Sequence, residues 1–146
     1  MTTTTTGAPS PPAITVDALS APFWEAAKQR RLSLQRCQEC GFYQHYPRPV
    51  CRRCSSFQLG FEQVSGRGTV YSFTETRKAF HPFFADRVPY LLASIELVEQ
   101  AGLRIVSNLV KIAEPEVAFG MPVAVEFEEL SADLTIPVFA PAQAAA

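Results

Sequence analysis

The chain has 146 residues, 47% of them hydrophobic, and a formal net charge of −1 at pH 7. This length allows one domain of ordinary size, or a small module joined to a slightly larger one. No apolar run approaches the ~20 residues that a membrane-spanning helix needs, and the amino-terminal MTTTTTGAPSPPA lacks the basic start and apolar core of a secretory signal. The composition therefore predicts a cytoplasmic protein with a hydrophobic core.

The first part of the chain predicts a tail followed by a short helix. Residues 1–19 are rich in Thr, Pro and Ala without hydrophobic periodicity, so we expect them to be disordered. A helix is predicted from Ser20, a suitable N-cap, to about Arg31. Phe23 and Trp24 would lie on its apolar face.

All four cysteines lie in one short stretch, as two Cys-x-x-Cys pairs separated by ten residues: Cys37, Cys40, Cys51 and Cys54. Such a turn directs two thiolates to one side, and two turns facing each other form a tetrahedral cage of four sulfur atoms. Gly41 follows the first pair directly, where the turn needs a residue with positive φ. The spacing predicts one structural zinc ion, in a helix-and-ribbon module over residues 20–64.

Three other uses of the cysteines compete with zinc. Tetrathiolate iron of the rubredoxin type is chemically allowed, because geometry alone does not separate it from zinc. Disulfides fit less well because nothing indicates secretion, and a redox pair fits less well because no thioredoxin-like βαβ pattern surrounds the cysteines. A closed set of four protein ligands leaves no position for catalytic water, so the metal is expected to be structural.

Charge is unevenly distributed along the chain. Residues 28–53 carry seven basic side chains and one acidic one, whereas residues 54–146 carry six basic and eleven acidic ones. Arg48, Arg52 and Arg53 are therefore expected on a positive surface that could meet nucleic acid, a phosphorylated cofactor or an acidic protein surface. A solvated basic face without a ligand is the simpler alternative.

The pattern from residue 65 onward is almost entirely that of β-strands. Gly66 and Gly68 predict a bulge or sharp bend where the chain enters this region. Five strands in about seventy residues fit a small OB-type barrel over residues 65–140, followed by a frayed tail at 141–146. The strands are predicted at residues 69–76, 90–98, 103–110, 121–127 and 135–139.

One loop of the predicted barrel, RKAFHPFFADRVP at residues 77–89, is far more aromatic than an exposed loop should be. Its Phe80, His81, Phe83 and Phe84 would either close the barrel mouth as a lid or form a docking surface. His81 is also the only plausible proton carrier, since His45 is expected on the ribbon surface.

Several further motifs follow one another along the chain: FW at 23–24, LSLQRC and CQECG, YPR at 46–48, CRRC, GRGTVYSFT at 66–74, PY at 89–90, SNLV at 107–110 and GMPVAVEF at 120–127. In their order and spacing, these motifs resemble those of the domain of unknown function 35 family. The resemblance covers roughly residues 20–130. The chain departs from the pattern at CRRCSS, where many members have a glycine after the second cysteine pair.

This resemblance implies a rubredoxin-like zinc ribbon followed by an OB-fold, in a mainly β protein. It also implies a non-catalytic accessory subunit of a thiolase-like acyl-CoA enzyme: a thiolase, a lipid-transfer-protein type aldolase or an acyltransferase, in some members with a hydratase-like subunit. The three ribbon arginines and the aromatic loop are then expected near the CoA phosphates, the acyl group or the partner.

The main alternative is a nucleic-acid-binding module, because zinc ribbons and OB-folds both bind nucleic acids. The predicted barrel is acidic, however, whereas a groove that follows a phosphate backbone needs positive charge. Alternating aromatic residues for base stacking are also sparse on the predicted strands. Nucleic acid is therefore an unlikely partner, and an independent enzyme is not expected, because no cysteine remains as a nucleophile.

Overall fold

The computed structural model describes residues 8–142, and the chain begins there with an irregular segment that leads into a single α-helix. Helix α1, Ala21–Lys28, buries Phe23 and two alanines. Ser20 occupies the N-cap position, but its side chain bonds no helix N–H. Its backbone N–H instead donates to Asp17 Oδ1 at 2.8 Å, so a local turn precedes the helix.

The helix ends earlier than the sequence predicted. It stops at Lys28 rather than near Arg31, because Arg30 adopts a left-handed φ of 58° that an α-helix cannot continue. The Arg30 guanidinium donates to the carbonyl oxygen of Phe127 at 3.1 Å. Local backbone bonds close the last turn, since the Arg31 N–H donates to the Ala26 carbonyl at 2.9 Å, and the Arg30 side chain joins this end of the helix to a distant part of the chain.

The ribbon is a three-stranded antiparallel sheet in the order β2-β1-β3. Its strands are β1 Ser33–Cys37, β2 Tyr43–Gln44 and β3 Leu59–Gln63. Strand β1 is central and buried along most of its length, including the polar Ser33 and Gln35. The two cysteine-bearing turns lie at one end of this sheet.

The remaining strands form a closed barrel in the order β4-β5-β6-β8-β7, with β7 pairing back to β4. Its pairs are antiparallel except β6 and β8, which are parallel and paired in register only at Leu109 and Phe139. The mainly β class and the five-stranded barrel are therefore confirmed. The strands are β4 Arg67–Thr76, β5 Tyr90–Leu97, β6 Arg104–Leu109, β7 Pro122–Ser131 and β8 Leu134–Pro141.

Glycines at the start of the barrel allow β4 to approach the backbone of β5 closely. A Cβ atom on Gly68 would lie 2.5 Å from the carbonyl oxygen of Glu96, so only glycine fits there without a backbone shift. Gly66 takes a φ of 79° at the passage from β3 to β4. The bulge itself lies further on, between Val70 and Ser72 of β4.

Ribbon and barrel share one hydrophobic core. Phe23 of the helix and Leu34 of the ribbon belong to the same buried cluster as Ile95 and Leu97 of the barrel. Leu34 and Ile95 have no exposed surface at all. Because burial of apolar area is the main stabilising contribution, the two modules stabilise each other.

The carboxyl-terminal strand is longer than predicted. Strand β8 includes Pro141, and the N–H of Ala142 donates to the carbonyl oxygen of Pro122 at 3.0 Å, so the predicted tail at 141–146 begins too early. Residues 8–16 of the predicted amino-terminal tail form neither helix nor strand. Residues 1–7 and 143–146 lie outside the described part. No helix within residues 8–142 is long and apolar enough to cross a membrane.

Candidate metal centre and interaction surfaces

The four cysteines converge as the sequence predicted. Their Sγ atoms all lie within 4.8 Å of one another. Cys37 and Cys54 are 3.6 Å apart, and Cys40 and Cys51 are 3.7 Å apart. Zinc–sulfur bonds of 2.3 Å in a tetrahedron give sulfur–sulfur distances of about 3.8 Å, so the four thiols fit one tetrahedral metal ion.

Two equivalent turns position these thiols. The N–H of Gly41 donates to the carbonyl of Cys37 at 3.0 Å, and the N–H of Ser55 donates to that of Cys51 at 2.9 Å. Gly41 has a φ of 76° and Ser55 a φ of 64°, so the serine that departs from the family pattern adopts the conformation of a glycine. Ser55 therefore replaces the usual glycine without changing the conformation of the turn.

The pKa values of two of the thiols shift in opposite directions. The backbone N–H of Cys40 lowers the pKa of the Cys37 thiol to about 6. The Ser56 N–H lowers the pKa of the Cys54 thiol, but burial and the other three thiols raise it to about 12. Four thiolates this close together need a bound cation, which is what a structural metal supplies.

Two buried glutamines, which sequence reasoning missed, hold the segment between the cysteine pairs. Gln35 accepts from the Arg48 N–H and donates to the Arg48 carbonyl, both at 2.9 Å. Gln44 donates to Gln35 at 2.6 Å and accepts from the Arg52 N–H at 3.0 Å. The only signal in the sequence was that Gln35 shares a strand face with the metal ligand Cys37.

The three predicted ribbon arginines are exposed, while the buried glutamines bond the backbone of Arg48 and Arg52. The guanidinium carbons of Arg52 and Arg53 lie 5.5 Å and 5.9 Å from the ring centroid of Phe42. Arg48 lies on the same segment but outside this stack. The result is a cationic surface beside the metal site, which we call the ribbon arginine surface: Arg48, Arg52 and Arg53.

The aromatic loop, residues 77–89, contains a short 3₁₀ helix, Pro82–Phe84, and is partly folded onto itself. His81 Nδ1 accepts from the Phe83 N–H at 3.1 Å. Phe84 packs edge-on to Phe83 at 5.2 Å between ring centroids and lies 5.8 Å from Tyr90. The four predicted side chains are therefore not equivalent. Phe83 and Phe84 are half-buried, whereas Phe80 is 77% exposed.

A cavity of about 280 Å³ lies beneath this loop. Phe84 and Arg87 form its roof, and Arg87 pairs with Glu128 at 2.5 Å. The loop joins the first two barrel strands, and in OB-folds this loop borders the ligand-binding face. The wall is completed by Tyr90, Asn108, Leu109, Val110, Leu130 and Ile136.

The expectation that His45 is a surface residue was wrong. Its ring lies 5.4 Å from Phe23 and 4.0 Å from Tyr46, because the segment between the cysteine pairs folds over the helix. Burial lowers the pKa of His45 to about 4, so the imidazole is neutral near pH 7. Within the described residues Nδ1 is buried without a hydrogen-bond partner.

Comparison with known proteins assigns both modules. The description "ChsH2, rubredoxin-like zinc ribbon domain" matches residues 24–60, and "ChsH2, C-terminal OB-fold domain" matches residues 61–128. Since the four cysteines fit one tetrahedral ion and belong to such a ribbon, the metal centre is a rubredoxin-like zinc ribbon site.

Three similar proteins have informative names. A probable enoyl-CoA hydratase alpha subunit of Thermomonospora curvata is 46% identical over 121 residues; these are 82% of this chain, which spans only 37% of that protein. A DUF35 domain-containing scaffold protein of Methanocaldococcus jannaschii is 32% identical over 75% of this chain and 77% of its own. A chain of the solved "Ltp2-ChsH2(DUF35) aldolase" is 41% identical with a TM-score of 0.80.

The alignments cover enough of the chain to settle its family. The match to the aldolase structure includes 88% of this chain and 98% of the matched chain. The scaffold protein is covered over most of its length, and both modules match in the expected order. The chain therefore belongs to the DUF35 family, with the ChsH2 arrangement of a rubredoxin-like zinc ribbon followed by an OB-fold.

Proposed function

We propose that this chain is a non-catalytic accessory subunit of a thiolase-like acyl-CoA enzyme, an aldolase of the lipid-transfer-protein type, and supports its assembly. One observation carries the proposal: the chain matches 98% of a DUF35 chain in a structure named as an Ltp2-ChsH2 aldolase, at 41% identity. Similarity to a hydratase alpha subunit, of which the chain spans about a third, supports a hydratase-like subunit as a further partner.

The chemistry of the side chains supports the non-catalytic role. Cleavage or formation of a carbon–carbon bond on a thioester usually uses a reactive thiolate with a histidine base. All four cysteines of the chain belong to the metal cluster, so none serves as a nucleophile. His45 is half-buried with its pKa lowered to about 4, and His81 Nδ1 is occupied by a hydrogen bond within its own loop.

The ribbon arginine surface is one proposed contact with the CoA thioester or the partner. A guanidinium donates two parallel hydrogen bonds, which suits a phosphate or a carboxylate better than an ammonium does. Gln35 and Gln44 hold the backbone of Arg48 and Arg52, so little backbone entropy is lost on binding.

The aromatic loop is the second proposed contact, through Phe80, His81, Phe83 and Phe84. Phe80 is the most exposed of its phenylalanines, and the Lys78 ammonium lies 5.4 Å from its ring centroid. An exposed aromatic ring on a loop held by internal packing is a suitable anchor for a partner.

The first experiment tests the accessory role as a whole. A tagged full-length chain is purified from its native cells, its companion is identified, and aldolase activity is measured with each protein alone and with both. We expect a thiolase-like companion and activity only when that companion is present. Thioester turnover by the purified chain alone, or co-purification without such an enzyme, would contradict the proposal.

The second experiment tests the two contacts with matched controls. Phe80→Ser should weaken the complex at least tenfold, whereas Phe57→Ser, at a ribbon residue equally exposed at 76%, should change it less than twofold.

Replacing Arg48, Arg52 and Arg53 by Ala should weaken complex or CoA binding, while Lys28→Ala with Arg31→Ala should not. Unchanged affinity would identify a solvated face, and tight, salt-sensitive binding of single-stranded oligonucleotides would favour the nucleic-acid alternative.

A further inference from the structure

A second cavity lies where the helix, the ribbon and the barrel meet. Its volume is about 260 Å³, and we call it the junction cleft. One side is formed by α1 and the ribbon, and the other by β5, β6 and β8. Its lining residues are Ser20, Phe23, Trp24, His45, Tyr46, Pro47, Leu92, Ile105, Val106, Ser107, Asn108, Ile136 and Pro137.

The cleft follows from the barrel topology. Strands β6 and β8 are paired in register only at Leu109 and Phe139, so they separate toward the end where the helix and ribbon pack. The polar groups on this wall bond the protein itself. Ser107 Oγ donates to the Pro137 carbonyl at 2.8 Å, and Asn108 Nδ2 donates to the Leu91 carbonyl at 3.1 Å.

The character of the lining limits what the cleft can bind. None of the lining residues is Asp, Glu, Lys or Arg, and burial keeps His45 neutral near pH 7. A charged ligand would lose its hydration without gaining an ion pair there. The remaining surface is mostly aromatic and aliphatic, which favours an apolar and uncharged group.

The volume of the cleft further limits which ligands it can bind. A dry apolar cavity of about 150 Å³ is known to hold one benzene ring. A cavity of about 260 Å³ therefore fits two fused rings, and is too small for a whole nucleotide or a four-ring skeleton. Val106 is 52% exposed and Tyr46 is 60% exposed, so the cleft is accessible from solvent on this side.

We infer that the junction cleft binds a compact, uncharged, apolar ligand of about two fused rings, with room for one polar oxygen at Asn108 or His45. Nothing in this inference depends on the partner enzyme, so it stands apart from the accessory role proposed above. A ligand in this position touches the helix, the ribbon and the barrel together, and so would hold the two modules in one orientation.

The chain carries its own reporter for the test. Trp24 is the sole tryptophan and lines the cleft as well as a neighbouring cavity beside residues 10–16, so its fluorescence reports a ligand bound at either place. The zinc-loaded full chain is titrated with 2-decalol, an uncharged molecule of two fused saturated rings that does not fluoresce. We expect saturable binding with a blue shift of Trp24 emission, and at least tenfold weaker binding of the corresponding carboxylate.

Two matched variants locate the site. Val106→Phe narrows the mouth of the cleft and should weaken 2-decalol binding at least tenfold. Val98→Phe, at an equally exposed valine of 57% outside the cleft, should change it less than twofold. Thermal melts establish that both variants are folded. No saturation by 2-decalol at its solubility limit, equal effects of the two variants, or equal binding of the carboxylate would overturn the inference.

Discussion

Gln100 and Tyr43 bond to each other as two neighbouring strand residues would. The Gln100 side chain accepts from the Tyr43 N–H and donates to the Tyr43 carbonyl, both at 2.9 Å. Gln100 lies in the turn between β5 and β6, and Tyr43 begins the edge strand β2 of the ribbon. One side chain of the barrel thereby completes the hydrogen bonding at the edge of the ribbon.

Gln100→Leu should destabilise the whole chain by about 1–3 kcal/mol, because it leaves the two part-buried backbone groups of Tyr43 without partners. The measurement is the free energy of unfolding in urea. The control is Gln63→Leu, at an exposed position of β3, which should change stability by less than about 0.5 kcal/mol. Equal effects of the two substitutions would show that the pairing contributes nothing.

Cys40→Ser should abolish stoichiometric zinc binding and unfold the ribbon, while the barrel keeps most of its β-sheet circular dichroism. Structural zinc contributes on the order of 10 kcal/mol or more of apparent binding free energy in small modules, so loss of a ligand is severe. Because Leu34 shares its core with the barrel, the melting temperature should also fall.

Elemental analysis checks the metal directly and should find one zinc per chain. The control variant Glu39→Ala, which changes an exposed neighbour of the ligand, should retain the metal. Predominantly iron, or no metal at all in protein from cells with normal zinc, would contradict this assignment.

Ser55→Gly should stabilise the chain by about 0.5–1 kcal/mol. A left-handed conformation costs an ordinary residue about 1–2 kcal/mol, and the greater flexibility of unfolded glycine offsets only part of the gain. Ser55→Ala removes the hydroxyl but keeps the strained conformation, so it should give no gain. Gly41→Ala should cost about 1–2 kcal/mol at the equivalent turn. A destabilising Ser55→Gly would mean that the serine hydroxyl matters more than the backbone conformation.

His45 should make stability depend on pH. Its pKa falls from the usual 6.5 to about 4 on folding, so between these values the unfolded chain binds a proton that the folded chain does not. The stabilisation is complete above about pH 6.5 and is lost as the pH falls to about 4, by about 3 kcal/mol in total.

The matched measurement is the difference in unfolding free energy between pH 7.5 and pH 5, in the wild type and in His45→Phe. The variant keeps an aromatic ring against Phe23 but cannot titrate, so its dependence on pH should be shallower. Tyr46→Phe should keep the wild-type dependence. Parallel curves for the wild type and His45→Phe would show that His45 is not the group responsible.

The sequence predicted the parts of this fold that depend on local chemistry. Two Cys-x-x-Cys pairs define the metal ligands by spacing alone, and alternating apolar residues define the barrel strands. The end of the helix was predicted too late, because nothing in the sequence marks Arg30 as the left-handed residue beyond which the helix cannot continue. Gln35, Gln44 and Gln100 were missed because a glutamine in a strand or turn looks like a surface residue until its partners are known.

His45 illustrates the same limit, because it too was expected on the surface and instead packs against the helix. A histidine shortly before a Pro-Arg-Pro sequence is typical of an exposed turn, and its burial depends on how the ribbon packs on the helix. The junction cleft is also invisible in the sequence, because its walls come from segments far apart along the chain.

The shared core and the barrel closure together predict an order of folding. Arg67, in the first barrel strand, pairs with Ala124, in the fourth, and β8 follows both, so the barrel cannot close until nearly all of it has been synthesised. The metal ligands, in contrast, all lie within residues 37–54, and contacts between residues close in sequence form faster. We expect the ribbon to acquire its metal first and to present Leu32 and Leu34 to the barrel as it closes, so that zinc supply affects the stability of the barrel as well as that of the ribbon.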